Sequence, residues 1–154
     1  MENFNLSLYN EILDRGLSSG VGSREGSMCV EAAICAALNL PHGDDPKCVA
    51  ASVRKFKITL NDSCWSSPAA RSAGLRDLGL AQLGSIDIPD IDQKFASALA
   101  LETVRQILPA LFDDLGILPD HAEKCRNVKN LDDAQIAASD AARAARAASD
   151  AASY

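Results

Sequence analysis

The sequence predicts an all-α chain, a compact bundle of six or seven helices that ends in an alanine-rich helix. Three observations carry this expectation. Apolar residues recur at helical spacing along most of the chain. Proline follows a capping residue at Asp45-Pro46 and Ser67-Pro68, where helices should open. The apolar set, 47% of the chain, is mostly Ala, Leu, Ile and Val with only 5% aromatics, which suits helices packed through small side chains. A chain of 154 residues can bury a real core. The expected division is a helical core domain over 1–128 and the alanine-rich helix over 129–154.

The first helix is expected over residues 5–15, with Leu6, Tyr9 and Leu13 on one stripe and Gly16 as a left-handed C-cap. The segment GLSSGVGSREGS follows, with four glycines and four serines in twelve residues. It reads as a mobile connector, with a lid over a site as the alternative. The next helix spans Met28 to Asn39. At about 100° per residue its apolar positions cover half the circumference, so it should be mostly buried, with Glu31 and Cys35 on the remaining side. A third helix should start at Asp45-Pro46 and carry Val49, Val53, Phe56 and Leu60 inward. Lys47, Arg54, Lys55 and Lys57 then form a solvated basic face, and Asn61 and Asp62 stop the helix.

Ser67 and Pro68 open a fourth helix, which Gly79 or Gly84 should end. SIDIPDIDQ reads as an extended acidic linker. A long helix from Ile91 to Leu115 should kink at Pro109, which removes the donor to the Arg105 carbonyl. Arg105 lies in an acidic stretch and reads as charge-paired before it reads as a ligand-binding residue. Pro119 opens a short helix that puts His121 and Cys125 on one face. In the last 24 residues eleven are alanine and none is Gly or Pro, so they should be helical, capped by Asn130 and extending to Tyr154.

Composition narrows the function classes. A formal net charge of −6 argues against general nucleic-acid binding and affinity for membrane surfaces. The chain has no run of about 18 apolar residues. MENFNLSLYNEILD does not resemble a secretory signal. Five cysteines, an odd number, fit free thiols in a reducing compartment, so a cytoplasmic location is expected.

Three chemistries can be drawn from the residues. Cys29, in the first turn of a helix after the glycine-rich loop, could be a nucleophile, with Arg24 adding positive charge and His42 or His121 as base, oriented by Asp44 or Asp45; a buried structural cysteine is the plainer reading. Cys48 competes for that role. A metal site from Cys29, His42, Cys48, His121 and Cys125 lacks any Cys-x-x-Cys pair, so no metal or other cofactor is assigned. The glycine-rich loop fails both the P-loop and dinucleotide fingerprints, although a helix start near Ser27 could hold an anion.

MCVEAA, DDPKCV and FKITLND together resemble a set of small uncharacterised helical proteins of bacteria, notably actinobacteria, and their phages. That set shows a Cys-x-x-Glu-Ala element, here one residue shorter as Cys29-Val30-Glu31-Ala32, an Asp-x-Pro-x-Cys element and an Asn-Asp pair. The resemblance continues through FASALALETVRQILPAL into the tail. It implies an all-helical accessory protein of phage or mobile-element type and points to Cys29, Glu31, Asp45, Cys48, Asn61, Asp62 and Arg105 without a mechanism.

The expected function is therefore non-enzymatic. The chain should be a cytoplasmic interaction or small-ligand-binding accessory protein. Its candidate ligand or partner site comprises Arg24, Ser27, Cys29, Glu31, Asp45, Cys48, Arg54, Asn61, Asp62 and Arg105. A protein or a small anion is the expected partner, and self-association through the alanine-rich helix is a further possibility. The alternative is a thiol-dependent enzyme using Cys29.

Overall fold

A computed structural model describes residues 4–151 and shows an all-α chain. Its α-helices are α1 (Leu6–Asp14), α2 (Val30–Ala37), α3 (Ala51–Asn61), α4 (Pro68–Ala81), α5 (Ile91–Glu102), α6 (Leu108–Leu115), α7 (Pro119–Arg126) and α8 (Leu131–Ala151). A five-residue π turn, Thr103–Ile107, joins α5 to α6, so the described residues form seven helical rods. A 3-10 turn, Ser85–Asp87, follows α4. The only strand-like feature among the described residues is one antiparallel bridge, Gly22 to Met28. The expected helix ending at Tyr154 continues to Ala151, and 152–154 lie outside the described residues.

The chain divides into two compact units, residues 1–92 and 93–154. The division expected from composition, at 128/129, falls inside the second unit, because α8 packs its Ala134, Ala137 and Ala141 into that unit's core.

In the first unit α2 packs against α1, α3 and α4. Every α2 residue except Ala36 is buried, and Tyr9, Ile12, Leu13, Leu17, Met28 and Leu75 close around it. Gly79 lets this happen: a Cβ there would stand 2.0 Å from the Tyr9 hydroxyl, which donates to the Arg76 carbonyl at 2.9 Å. Asn5 caps α1 through the Leu8 N–H, and Gly16, at φ +95°, turns the chain as expected.

Several expectations are corrected here. The glycine-rich segment is folded back on itself, with Ser18 N donating to Met28 O, Ser23 N to Ser27 O, and Cys29 N to Val21 O. α2 begins at Val30, so Cys29 is its N-cap and not part of its first turn. α3 begins at Ala51, not at Pro46: Val49 N turns back to Pro46 O, and Ala50 is the N-cap with no capping side chain of its own. The first-turn N–H of Ser52 is capped instead by Asp92, whose Oδ1 accepts from it at 3.1 Å, while the Ser85 hydroxyl accepts from Ala50 N at 2.9 Å. Ser85 belongs to the segment expected to be an open linker, yet it is buried. Ser67 caps α4 as expected, but α4 runs past Gly79 to Ala81.

In the second unit Phe112, Ala122, Cys125, Val128 and the three α8 alanines form the core, with Leu101, Val104 and Leu108 against it. Pro109 is accommodated by the π turn, in which the Leu108 N–H reaches back to the Thr103 carbonyl. The run 91–115 is, by length and composition, long and apolar enough to cross a membrane, unlike the expectation from single apolar stretches. Asn130 caps α8 as expected, accepting from Asp133 N at 2.9 Å.

Candidate functional site

The buried polar groups of the first unit centre on Glu31. It sits in the first turn of an apolar helix and is fully buried. An isolated carboxylate there would be very costly, so it must have partners. Lys57 provides the countercharge, its Nζ 3.0 Å from Glu31 Oε1, and Gln82 Nε2 donates to Oε2 at 2.9 Å. Lys57 is itself 2% exposed. The expected solvated lysine is thus a core residue. Its position explains this: Val53, Lys57 and Asn61 follow one another at a spacing of four along α3, and all three are buried.

Burial pushes the Glu31 carboxyl up, and the Lys57 ammonium, with the Gln82 hydrogen bond, acts against that. Burial likewise pushes Lys57 down, with Glu31 opposing.

Asn61 and Asp62 link this pair to the folded loop. Asn61 Nδ2 donates to Ser18 O at 3.0 Å and to Asp62 Oδ1 at 2.8 Å, while its Oδ1 accepts from Val30 N at 3.3 Å. Asp62 Oδ1 also accepts from Gly20 N at 2.7 Å and Ser19 Oγ at 3.3 Å. These bonds, the Gly20 N–H first, hold the Asp62 carboxyl below its ordinary value. Arg71 closes the assembly from α4, donating to the carbonyls of Asn61 at 2.8 Å and Leu17 at 3.1 Å.

Between the loop, the start of α2 and the end of α3 lies a largely enclosed cavity of about 60 Å³. Cys29, Glu31, Asp44, Asn61 and Asp62 supply its polar lining, and Gly20, Val21 and Ile58 complete it. A volume of this size holds a few waters or the end of one side chain. Three lining residues carry carboxylates. A small anion is therefore disfavoured here and a cationic group is favoured.

Four of the ten residues named from sequence thus come together: Cys29, Glu31, Asn61 and Asp62. The others lie elsewhere. Arg24 and Ser27 are exposed on the loop. Asp45, expected to cap α3, instead pairs with Lys47 and, at 2.6 Å, with Arg54. Cys48 is half-buried, and its carbonyl accepts from Ile86 N at 3.4 Å. Arg105 belongs to the second unit and pairs with Glu102 at 3.2 Å.

Sequence reasoning missed Gln82, placed Lys57 on a solvated face, and named Asp44 only as a possible orienter of a histidine base. Lys57 had a readable signal, since an acid inside an apolar helix requires a buried cation. Gln82 had none.

The geometry does not activate the Cys29 thiol. It accepts from Ala32 N at 3.3 Å, which favours a thiolate, but burial pushes the thiol up and outweighs this. His42 is engaged with the Gly22 carbonyl at 3.2 Å, and His121 lies in the second unit. Cys125 is buried in the second core. Among the described residues no group of three or more His, Cys, Asp or Glu side chains is placed to hold a metal ion. No protein-family model, curated protein or solved structure matches this chain.

Proposed function

We propose that this chain is a non-enzymatic binding protein, an accessory factor of the phage or mobile-element type that acts in the cytoplasm on a protein partner. Its site is the cavity at the start of α2, and the partner presents a cationic group, a lysine or arginine side chain, to it. The observation that carries this reading is the lining: carboxylate-bearing residues from three separate segments, Glu31, Asp44 and Asp62, meet around one enclosed space. Lys57 neutralises one of them from within the core, so the remaining charge is negative. Free cysteines throughout the described residues suit a reducing compartment. The alternative, a thiol-dependent enzyme on Cys29, has burial of the thiol against it.

A thermal-shift series with arginine, lysine amide and guanidinium on one side, and phosphate and nucleotides on the other, tests the proposal. The expected result is stabilisation by the cations alone, lost in Asp44→Asn. Stabilisation by phosphate or a nucleotide would restore the anionic ligand and reject this reading. Absence of stabilisation by every cation would reject the cavity as the site.

A further inference from the structure

The oxygens that line the cavity at the start of α2 are unevenly committed. Glu31, buried at its floor, has both oxygens engaged, Oε1 with Lys57 Nζ at 3.0 Å and Oε2 with Gln82 Nε2 at 2.9 Å. Asn61 Oδ1 accepts from Val30 N. Asp62 Oδ1 takes three donors, Gly20 N, Ser19 Oγ and Asn61 Nδ2. Asp62 Oδ2 takes none, and neither oxygen of Asp44 has a hydrogen-bond donor or ion-pair partner among the described residues. These three open acceptors belong to the more accessible lining, since Asp62 is exposed and Asp44 half-buried. The floor is neutralised by Lys57, and the mouth carries the unbalanced charge.

Three single acceptors suit an ammonium, a compact charge with three donors that turn freely on a flexible stem. A guanidinium presents five donors in a rigid plane, and its strong pairing with a carboxylate uses both oxygens of one group. Asp62 cannot offer both, because its Oδ1 is already filled. Set on Asp44 instead, the fork would leave three N–H groups to share Asp62 Oδ2 in a space of about 60 Å³. Donors left unpaired in so enclosed a site weaken binding. Beside the open oxygens, Val21 and the half-buried Ile58 supply apolar surface for the methylenes that carry an ammonium.

We propose that the cavity selects a primary ammonium on an alkyl stem, the side chain of a lysine on the partner, and discriminates against the guanidinium of arginine. The selectivity rests on the cation-binding role of the cavity and narrows its ligand to one class. Asp44 and Asp62 make the contacts, and the donors on Asp62 Oδ1 fix the direction in which Oδ2 points.

Calorimetric titration of the full chain with Nα-acetyl-lysine amide, its Nε-trimethyl form and Nα-acetyl-arginine amide tests this. The lysine derivative should bind at least about tenfold more tightly than the arginine one. The trimethyl form keeps the charge but has no N–H on the side chain, and it should bind as poorly as the arginine derivative. Asp44→Asn should weaken lysine binding by about tenfold or more while leaving the melting temperature of the free protein nearly unchanged, since Asp44 has no partner to lose. Asp62→Asn, which keeps an acceptor for the loop but sets an amide where Oδ2 stood, should weaken it similarly. Arginine binding as tight as lysine binding overturns the selectivity and leaves the cavity a cation site. So does a trimethyl form that binds as well as lysine itself. Lysine binding that ignores both variants, or no binding by any of the three compounds, overturns the cavity as the site and this selectivity with it.

Discussion

The most consequential pair of residues is Glu31 and Lys57, since neither is tolerable in the core without the other. Lys57→Met leaves a buried carboxylate with only the Gln82 amide, and should destabilise the protein by about 3–5 kcal/mol. Glu31→Gln combined with Lys57→Met removes both charges and should recover most of the loss. Urea unfolding of the two variants measures this, and a double variant no better than the single one would deny the pair its role. The pH dependence of Lys57→Met has a definite sign. Burial already raises the Glu31 carboxyl, and removing Lys57 takes away the group that opposed the rise. A raised folded value means that the carboxyl is neutral in both states below its unfolded value, where the penalty vanishes. The penalty grows as pH rises above that unfolded value and is complete above the raised folded one. The variant should therefore lie closest to wild type at acid pH and fall furthest behind at neutral and higher pH.

At the scale of elements, the start of α3 separates what a local pattern states from what packing decides. Asp45-Pro46 has the features of a helix start, yet the chain makes a separate turn at Pro46–Val49, and two residues of a distant segment, Asp92 and Ser85, accept the Ser52 and Ala50 N–H groups at the start of α3. Ser85→Ala should cost about 1–3 kcal/mol, because the buried Ala50 N–H loses its acceptor. Asp45→Ala, which removes only exposed pairs with Lys47 and Arg54, should leave the unfolding midpoint nearly unchanged. If Asp45→Ala proved the more damaging of the two, the cap would belong to Asp45 after all. The same contrast marks the limits of the sequence elsewhere. The Ser67 and Asn130 caps, Gly16 and the alanine-rich helix were legible because their signals are local. The π turn before Pro109 was legible only as an expected kink, since hydrogen-bond slippage leaves no residue pattern. Half of the cavity was legible through Cys29, Glu31, Asn61 and Asp62. Gln82 was not, because its contact with Glu31 spans 51 positions and depends on how α4 lies against α2.

For the whole molecule, the two units bury very different material, and this sets the order in which they open. The first unit's core contains Tyr9, Ile12, Leu13, Leu17, Met28, Ile34 and Leu75, large side chains that are at most 3% exposed. The second unit's core has one aromatic, Phe112, and otherwise mostly Ala and Val with Cys125. At about 25 cal/mol per Å² of apolar surface, each alanine contributes far less than each Leu or Ile. The second unit also leaves Ile107, Leu111, Leu115 and Ile136 at 47–63% exposure, so much of its apolar surface stabilises nothing within it. Native-state hydrogen exchange on the full chain should therefore show the amides of α6, α7 and α8 exchanging through a lower-energy opening than those of α1, α2 and α4. Equal protection in both units would mean that the chain opens as one cooperative body, and the contrast between the two cores would then have no thermodynamic consequence.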